Sequence, residues 1–164
     1  MTQATATPVP NVDRTRAPRR LVLAAMLLVL IQSAIGMVVN LYAAIPDHHP
    51  GAHPASYFAG VVDSIGWALG HGAGSLAVHA GLGLALILVA IAVAARCAVA
   101  GPRSAAILTV LAALCIIGAA FNGASFLIFG EMNLPSLLMA LLALTALACY
   151  GLVLYLLSGR GARR

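Results

Sequence analysis

The amino-acid sequence predicts an all-α membrane protein: a four-transmembrane-helix, up-down-up-down bundle with a short interfacial helix between spans 1 and 2. Three observations predict it. The 164 residues are 62% hydrophobic and 8% charged, with a mean hydropathy of +1.03, far outside the balance of soluble domains. The apolar residues gather into four runs, each long enough to cross a hydrocarbon layer about 30 Å thick as a helix. Finally, all nine basic residues fall on one side of those runs. Arg14, Arg16, Arg19 and Arg20 precede the first run, Arg96 and Arg103 lie between the second and third, and Arg160, Arg163 and Arg164 follow the fourth. The connections after the first and third runs hold Asp47, Asp63 and Glu131 and no basic residue. Positive charge collects in cytoplasmic loops. Both termini are therefore expected in the cytoplasm, and the chain is expected to be a multi-pass protein of the inner (plasma) membrane. A net charge of +5 would suggest a nucleic-acid partner in a soluble protein. Here topology and attraction to anionic headgroups account for it, and no nucleic-acid partner is expected.

Residues 1–19 read as a disordered cytoplasmic tail of Thr, Pro, Ala and Arg. Residues 20–158 form a single four-helix membrane domain, and 159–164 a basic cytoplasmic tail. The first span is predicted over 21–45, about 37 Å of helix. It is far longer than the roughly 7–15-residue apolar core of a signal peptide, so it is expected to be retained. Pro46 closes it and opens a Pro- and His-rich external loop reaching Pro54. An interfacial helix is predicted over 55–69. Tyr57, Phe58, Val61, Val62, Ile65, Ala68 and Leu69 recur at helical spacing, with Ser56, Gly60, Asp63 and Ser64 opposite. Tyr57 and Trp67 near its ends suit headgroup depth. Gly70, Gly72 and Gly74 weaken the helix where the chain turns into the second span, 71–95. Gly101-Pro102 breaks the chain before the third span, 104–129. A tight turn over 130–133 leads to Pro135 and the fourth span, 135–157. Short connections make consecutive spans antiparallel neighbours.

Polar residues inside a membrane are informative because an unsatisfied group in hydrocarbon costs several kcal/mol. Gln32 and Asn40 lie in the first span, His71, Ser75 and His79 in the second, Asn122 and Ser125 in the third, and Thr145 in the fourth. Counting at about 1.5 Å per residue from the external ends puts Asn40 roughly 8 Å deep, and His79 and Asn122 about 10–12 Å deep. Asn40, His79 and Asn122, with His71 at the mouth, thus form a candidate polar ligand layer in the outer half. An ionisable residue in a span is a functional candidate. Its other reading is a neutral imidazole bonded across the bundle to Asn122 or to a freed carbonyl. A haem is the cofactor to test, since His79 in Leu76-x-x-His79-x-x-Leu82-Gly83 is similar to the ligand helices of small b-type cytochromes, which pair two axial His. No other span carries a His, however. His71 and His79 lie about 12 Å apart along one helix and roughly 80° apart around it, so they cannot bracket one iron.

In the loop, Asp47, His48, His49 and His53 offer four donors for zinc or copper; plain solvated surface is the alternative. Gly66, Gly70 and Gly74 form a small-residue ladder for close helix packing, with Gly81, Ala85 and Gly118 as further points of approach. Cys97, Cys115 and Cys149 lie in or beside the spans, and no structural disulfide is expected. No GxSxG, HExxH or Walker-type motif occurs, so no enzymatic activity is expected and no cofactor is required. Asn40-Leu41 before the Pro-x-His-x-Pro-Gly stretch, together with Phe121-Asn122-Gly123-Ala124-Ser125-Phe126, resembles small four-span integral membrane proteins of GC-rich bacteria. That resemblance covers Arg20 to Leu157 and implies the fold alone, since that group carries no assigned function. The expected role is a structural or accessory component that packs through small-residue helix faces, alone as a homo-oligomer or within a larger membrane complex. The alternative is a ligand-, metal- or haem-binding protein built around His79.

Overall fold

A computed structural model describes residues 13–130 and 132–158. Its elements are α1 (Asp13–Tyr42), α2 (Tyr57–Gly70), α3 (Gly74–Ala100), α4 (Arg103–Ile128) and α5 (Asn133–Ser158). Four of them are long and apolar enough to cross a membrane: Ala17–Tyr42 of α1, and all of α3, α4 and α5. The chain is a multi-pass membrane protein of the predicted class, with α2 as the short helix between spans 1 and 2. The start of α1 and the end of α5 lie on one side of the bundle, called here the side nearer the termini; α2 and the end of α4 lie on the other, called here the far side.

Helix ends follow local chemistry. α1 begins at Asp13, so residues 13–19 are helical rather than a tail; the rest of the two predicted tails, 1–12 and 159–164, lies outside the described residues. Pro18 falls near its start, where the lost N–H breaks one bond of an early turn. The last bond of α1 runs from Ala43 N–H to Val39 (3.0 Å), three residues short of Pro46. Ile45 precedes a proline and is pushed out of the helical region, so the first span stops at Tyr42 rather than at 45. α2 ends when His71 and Gly72 both donate to the Trp67 carbonyl (2.8 and 3.1 Å). A Cβ on Gly72 would come within 2.7 Å of the Ala68 carbonyl oxygen, so the turn needs glycine there. His71 therefore caps α2 and is not part of the second span, which starts at Gly74. Gly130, at φ +73°, follows α4 in the left-handed region that often ends a helix. Pro135 sits in the first turn of α5, where its missing N–H costs nothing.

α1 packs against α3 and α5, and α4 packs against α3 and α5, closing a four-helix ring. Hydrocarbon outside the bundle removes most of the hydrophobic reason for helices to associate, so close fitting carries the packing. Gly118 lies against Leu142, where a Cβ would meet a side-chain carbon at 3.2 Å, and Gly123 lies against the Met139 sulfur. The half nearer the termini is an apolar cluster around Val22, Val29, Val93, Ala112, Tyr150 and Val153. The far half holds two smaller clusters, one joining Val39, Ala68, Leu76, Phe126 and Leu127, the other Val61, Ala124 and Ile128. Both take residues from α2, which lies across the shoulders of α3 and α4.

The faces of α2 are mixed, with Asp63 exposed and Val61 and Ala68 buried as in a water-soluble amphipathic helix, but other residues reversed. Gly60, Val61, Ser64 and Ala68 are buried, whereas Phe58 and Val62 are 69% and 70% exposed. Small residues point inward because the loop before α2 folds directly onto it: Gly51 touches Gly60 and Ser64, and the Pro54 ring covers Gly60. Gly51 adopts φ +93°, a conformation glycine takes at no steric cost. Phe58, Val62 and Leu69 are left exposed together with Asp63, a mixed face that suits an interface.

Candidate functional site

His79 and Gln32 meet between α1 and α3 through a reciprocal fit. The two helices run antiparallel, so Gln32 and Gly36 of α1, four residues apart, face Gly83 and His79 of α3, also four apart. A Cβ on Gly36 would lie 2.8 Å from His79 Cε1, and a Cβ on Gly83 would lie 3.1 Å from Gln32 Nε2. Each helix thus provides a glycine notch for the other's polar side chain. The backbone of α3 explains the bond that joins them. Helical carbonyls point toward the C-terminal end, so His79 C=O points toward the membrane middle. Gln32 reaches up to it, donating from Nε2 at 3.0 Å, and the same nitrogen lies 3.4 Å from His79 Nε2. With Nε2 facing a donor, the imidazole proton belongs on Nδ1. His79 Nδ1 and Gln32 Oε1 are both buried without a partner among the described residues. One unused donor and one unused acceptor, each costing about 1–3 kcal/mol when desolvated, therefore flank the contact.

The other members of the predicted layer do not join this pair. Asn122 donates to its own helix, to Gly118 C=O at 2.8 Å. Asn40 accepts from Ser136 of α5 at 2.9 Å and is exposed. Because α1 ends at Tyr42, Asn40 lies only about 3 Å from the helix end, at the boundary rather than inside. His71 is exposed in the turn after α2. Ser33, Thr109, Ser125, Thr145 and Ser158 all bond back to carbonyls of their own helices. The polar level exists, but its residues are used in separate places.

A haem does not fit around His79. One ring nitrogen faces Gln32, the ring edge is pressed into the Gly36 notch, and no described span holds a second His. In the loop, no three His, Cys, Asp or Glu side chains among the described residues come together as a metal site. Asp47, His48 and His53 are exposed, whereas His49 serves to clamp the loop. Its ring stacks on Trp67, with centroids 4.5 Å apart and planes 22° apart. Its Nε2 lies 3.2 Å from the Leu127 carbonyl near the end of α4, and Nδ1 lies 2.8 Å from Pro50 C=O. Beside it a cleft of about 120 Å³ opens between Asp47, His53, Leu127 and Gly130. A second clamp fixes the start of α2. Tyr57 Oη reaches Ser125 Oγ at 2.9 Å, Ser125 donates to Phe121 C=O at 3.0 Å, and Phe58 meets Phe121 edge to face.

The glycine ladder is interrupted. Gly66 and Gly70 belong to α2, and Gly74 starts α3 beyond the turn. A Cβ on any of the three would meet nothing within 4 Å, so the chain does not use them for its own packing. The three cysteines are free and buried.

Compared with known protein families, curated proteins and solved structures, the chain matches none. Gln32 was legible as a polar residue in a span, but its role as the partner of His79 was not. The mirrored spacings Gln32-x-x-x-Gly36 and His79-x-x-x-Gly83 are the signal that points to it. Nothing in the sequence indicates the His49–Trp67–Leu127 clamp, which depends on how the loop folds back.

Proposed function

We propose that the protein is a non-enzymatic accessory component of the inner (plasma) membrane, with both termini cytoplasmic, that works by pairing with a neighbouring membrane helix. The observation that carries this reading is the uncovered face of α2 and its turn. Gly66, Gly70 and Gly74 have free space around them, and Phe58, Val62 and Leu69 beside them are exposed. Small residues let backbones approach closely, which is what drives helix pairing in lipid. The neighbour is a second copy or a subunit of a larger complex. Gly66→Leu and Gly70→Leu should each abolish a crosslinked species in native membranes while leaving insertion intact. A monodisperse monomer, with neither substitution altering any complex, refutes the proposal. Orientation is tested in a variant lacking Cys97, Cys115 and Cys149. Ser56→Cys and Asn133→Cys should react with an impermeant thiol reagent outside the cell, and Ser158→Cys should not.

A second reading is favoured by the unused atoms at Gln32 and His79. A group that both donates and accepts, such as a hydroxyl, would satisfy Oε1 and Nδ1 together. Native mass spectrometry of the protein in mild detergent should then reveal a bound small molecule that is lost in His79→Leu. A ligand-free protein whose stability is unchanged by that substitution reduces the pair to packing.

A further inference from the structure

We infer that the groove between α3 and α4, in the half nearer the termini, is a site for an anionic phospholipid, whose chain lies in the groove and whose phosphate meets Arg103. The groove has a volume of about 300 Å³. Ala94 and Ala113 are its buried lining residues, and Ile91, Ala98, Val110 and Leu114 stand exposed along its edges. Every lining side chain is aliphatic, and from Ile91 to Ala98 the groove runs about 10 Å along the helices. It faces away from the bundle core, open to hydrocarbon, and its alanines leave a trough where larger residues would give a smooth surface.

Charge decides the occupant. Arg103 precedes Val110 by seven residues, two helical turns, so it stands on the groove-facing side of α4 about 10 Å nearer the termini. It is exposed, and the segment from Arg96 to Ser104 holds no acidic residue. Its backbone adds to the attraction. The first bond into α4 runs from Ala106 N–H to Pro102 C=O (3.1 Å), and Pro102 supplies no side-chain cap. The N–H groups of the first turn and the positive end of the helix dipole therefore face the headgroup level. An anion above and a trough of aliphatic side chains below match a phosphate with an acyl chain. A second copy does not match. In the same membrane orientation its described basic residues Arg19, Arg20, Arg96 and Arg103 lie on this same side, and a helix laid in the groove would bring positive charge against Arg103.

The test uses full-length protein, delipidated in mild detergent and titrated by native mass spectrometry. The probes are dioleoylphosphatidylglycerol, chain-matched phosphatidylcholine, and glycerol phosphate. The anionic lipid should bind as one tight equivalent, at least tenfold tighter than phosphatidylcholine, with glycerol phosphate not competing. Arg103→Gln should weaken it about fivefold, the effect of one basic residue at an anionic surface. Ala98→Phe should abolish binding by filling the trough, and Ala95→Leu at its exposed rim gives the same readout if the larger substitution fails to fold. Arg96 lies about 200° around α3 from Ala98, so Arg96→Gln should change affinity less than twofold. Equal binding of phosphatidylcholine, or an equal effect of Arg96→Gln and Arg103→Gln, would overturn the site in favour of diffuse attraction. Competition by glycerol phosphate would overturn the role of the groove.

Discussion

Gly36→Ala tests the reciprocal fit between α1 and α3 most directly. The new methyl group would sit 2.8 Å from His79 Cε1 and 3.4 Å from Nδ1, closer than packed carbons tolerate, and the imidazole has no flexible end to swing aside. Overpacking of this kind costs about 1–3 kcal/mol. Displacing the ring also weakens the Gln32 contact, worth about 0.6 kcal/mol for an average hydrogen bond between membrane helices. Against this stands the better helix propensity of alanine, up to about 1 kcal/mol. The net expectation is a loss of about 1–2 kcal/mol. A double-mutant cycle separates the terms. With His79→Ala the obstruction is gone, so adding Gly36→Ala should then be neutral or stabilising by up to about 1 kcal/mol. That leaves a coupling of about 2 kcal/mol between residues 36 and 79. Equilibrium unfolding in mixed micelles, followed by helical circular dichroism, measures all four corners. If Gly36→Ala has the same effect in both backgrounds, the two residues do not touch and the fit is wrong.

Gly83→Ala should be milder than Gly36→Ala in the same assay, because its methyl group meets only the movable amide of Gln32 at 3.1 Å, whereas Gly151→Ala, with nothing within 4 Å, should stabilise by up to about 1 kcal/mol. Gly51→Ala should detach the loop from α2, since residue 51 combines a left-handed φ with contact to the Gly60 and Ser64 backbone; limited proteolysis within 47–56 should become faster while the spans stay protected. His49→Ala removes a ring stack and a bond to Leu127, together about 1.5–2 kcal/mol; the single tryptophan, Trp67, should become at least tenfold more often accessible to a soluble quencher, and unchanged quenching would count against the clamp. Tyr150 is fully buried and its hydroxyl has no partner among the described residues, so Tyr150→Phe should be neutral or stabilise by about 1 kcal/mol; a clear loss in micelle unfolding would reveal a partner for that hydroxyl.

The spans were legible because each is set by local chemistry: apolar runs of fixed length, Pro46 and Gly101-Pro102 as breaks, and basic residues on one side only. α2 was legible as a helix from its period, but its orientation was not. The sequence rule that small and polar residues face outward holds for Asp63, which is exposed, but not for Gly60 and Ser64, which receive the loop and leave Phe58 and Val62 outward. The polar layer was half legible for a similar reason. Counting depth along each run placed Asn40, His79 and Asn122 together, yet depth says nothing about which way a residue points around its helix. Asn122 turned out to serve Gly118 of its own helix, and Asn40 moved to the boundary once α1 ended at Tyr42. Gln32, eight residues deeper in α1 than Asn40, had no depth assigned, and its long side chain and the direction of the His79 carbonyl bring it to His79.

The two halves of the bundle are held by different means, and that division bears on where a role can reside. Nearer the termini, Val22, Val29, Val93, Ala112 and Val153 meet in an aliphatic cluster. Such contacts tolerate exchange of one aliphatic residue for another of similar volume. In the far half, the contacts depend on particular atoms. Gly36 and Gly83 admit His79 and Gln32, Gly51 admits the α2 backbone, and His49 must reach both Trp67 and Leu127. Few other residues satisfy those fits; the first joins α1 to α3, and the other two hold α2 against its loop and against α4. α2 is held on its inner side, while Phe58, Val62, Gly66 and Gly70 stay uncovered on its outer side, the face that the proposed pairing would use. On that proposal, the contacts of the far half that hold α2 serve to present it. The termini-side half supplies a stable pedestal with an alanine trough along its flank.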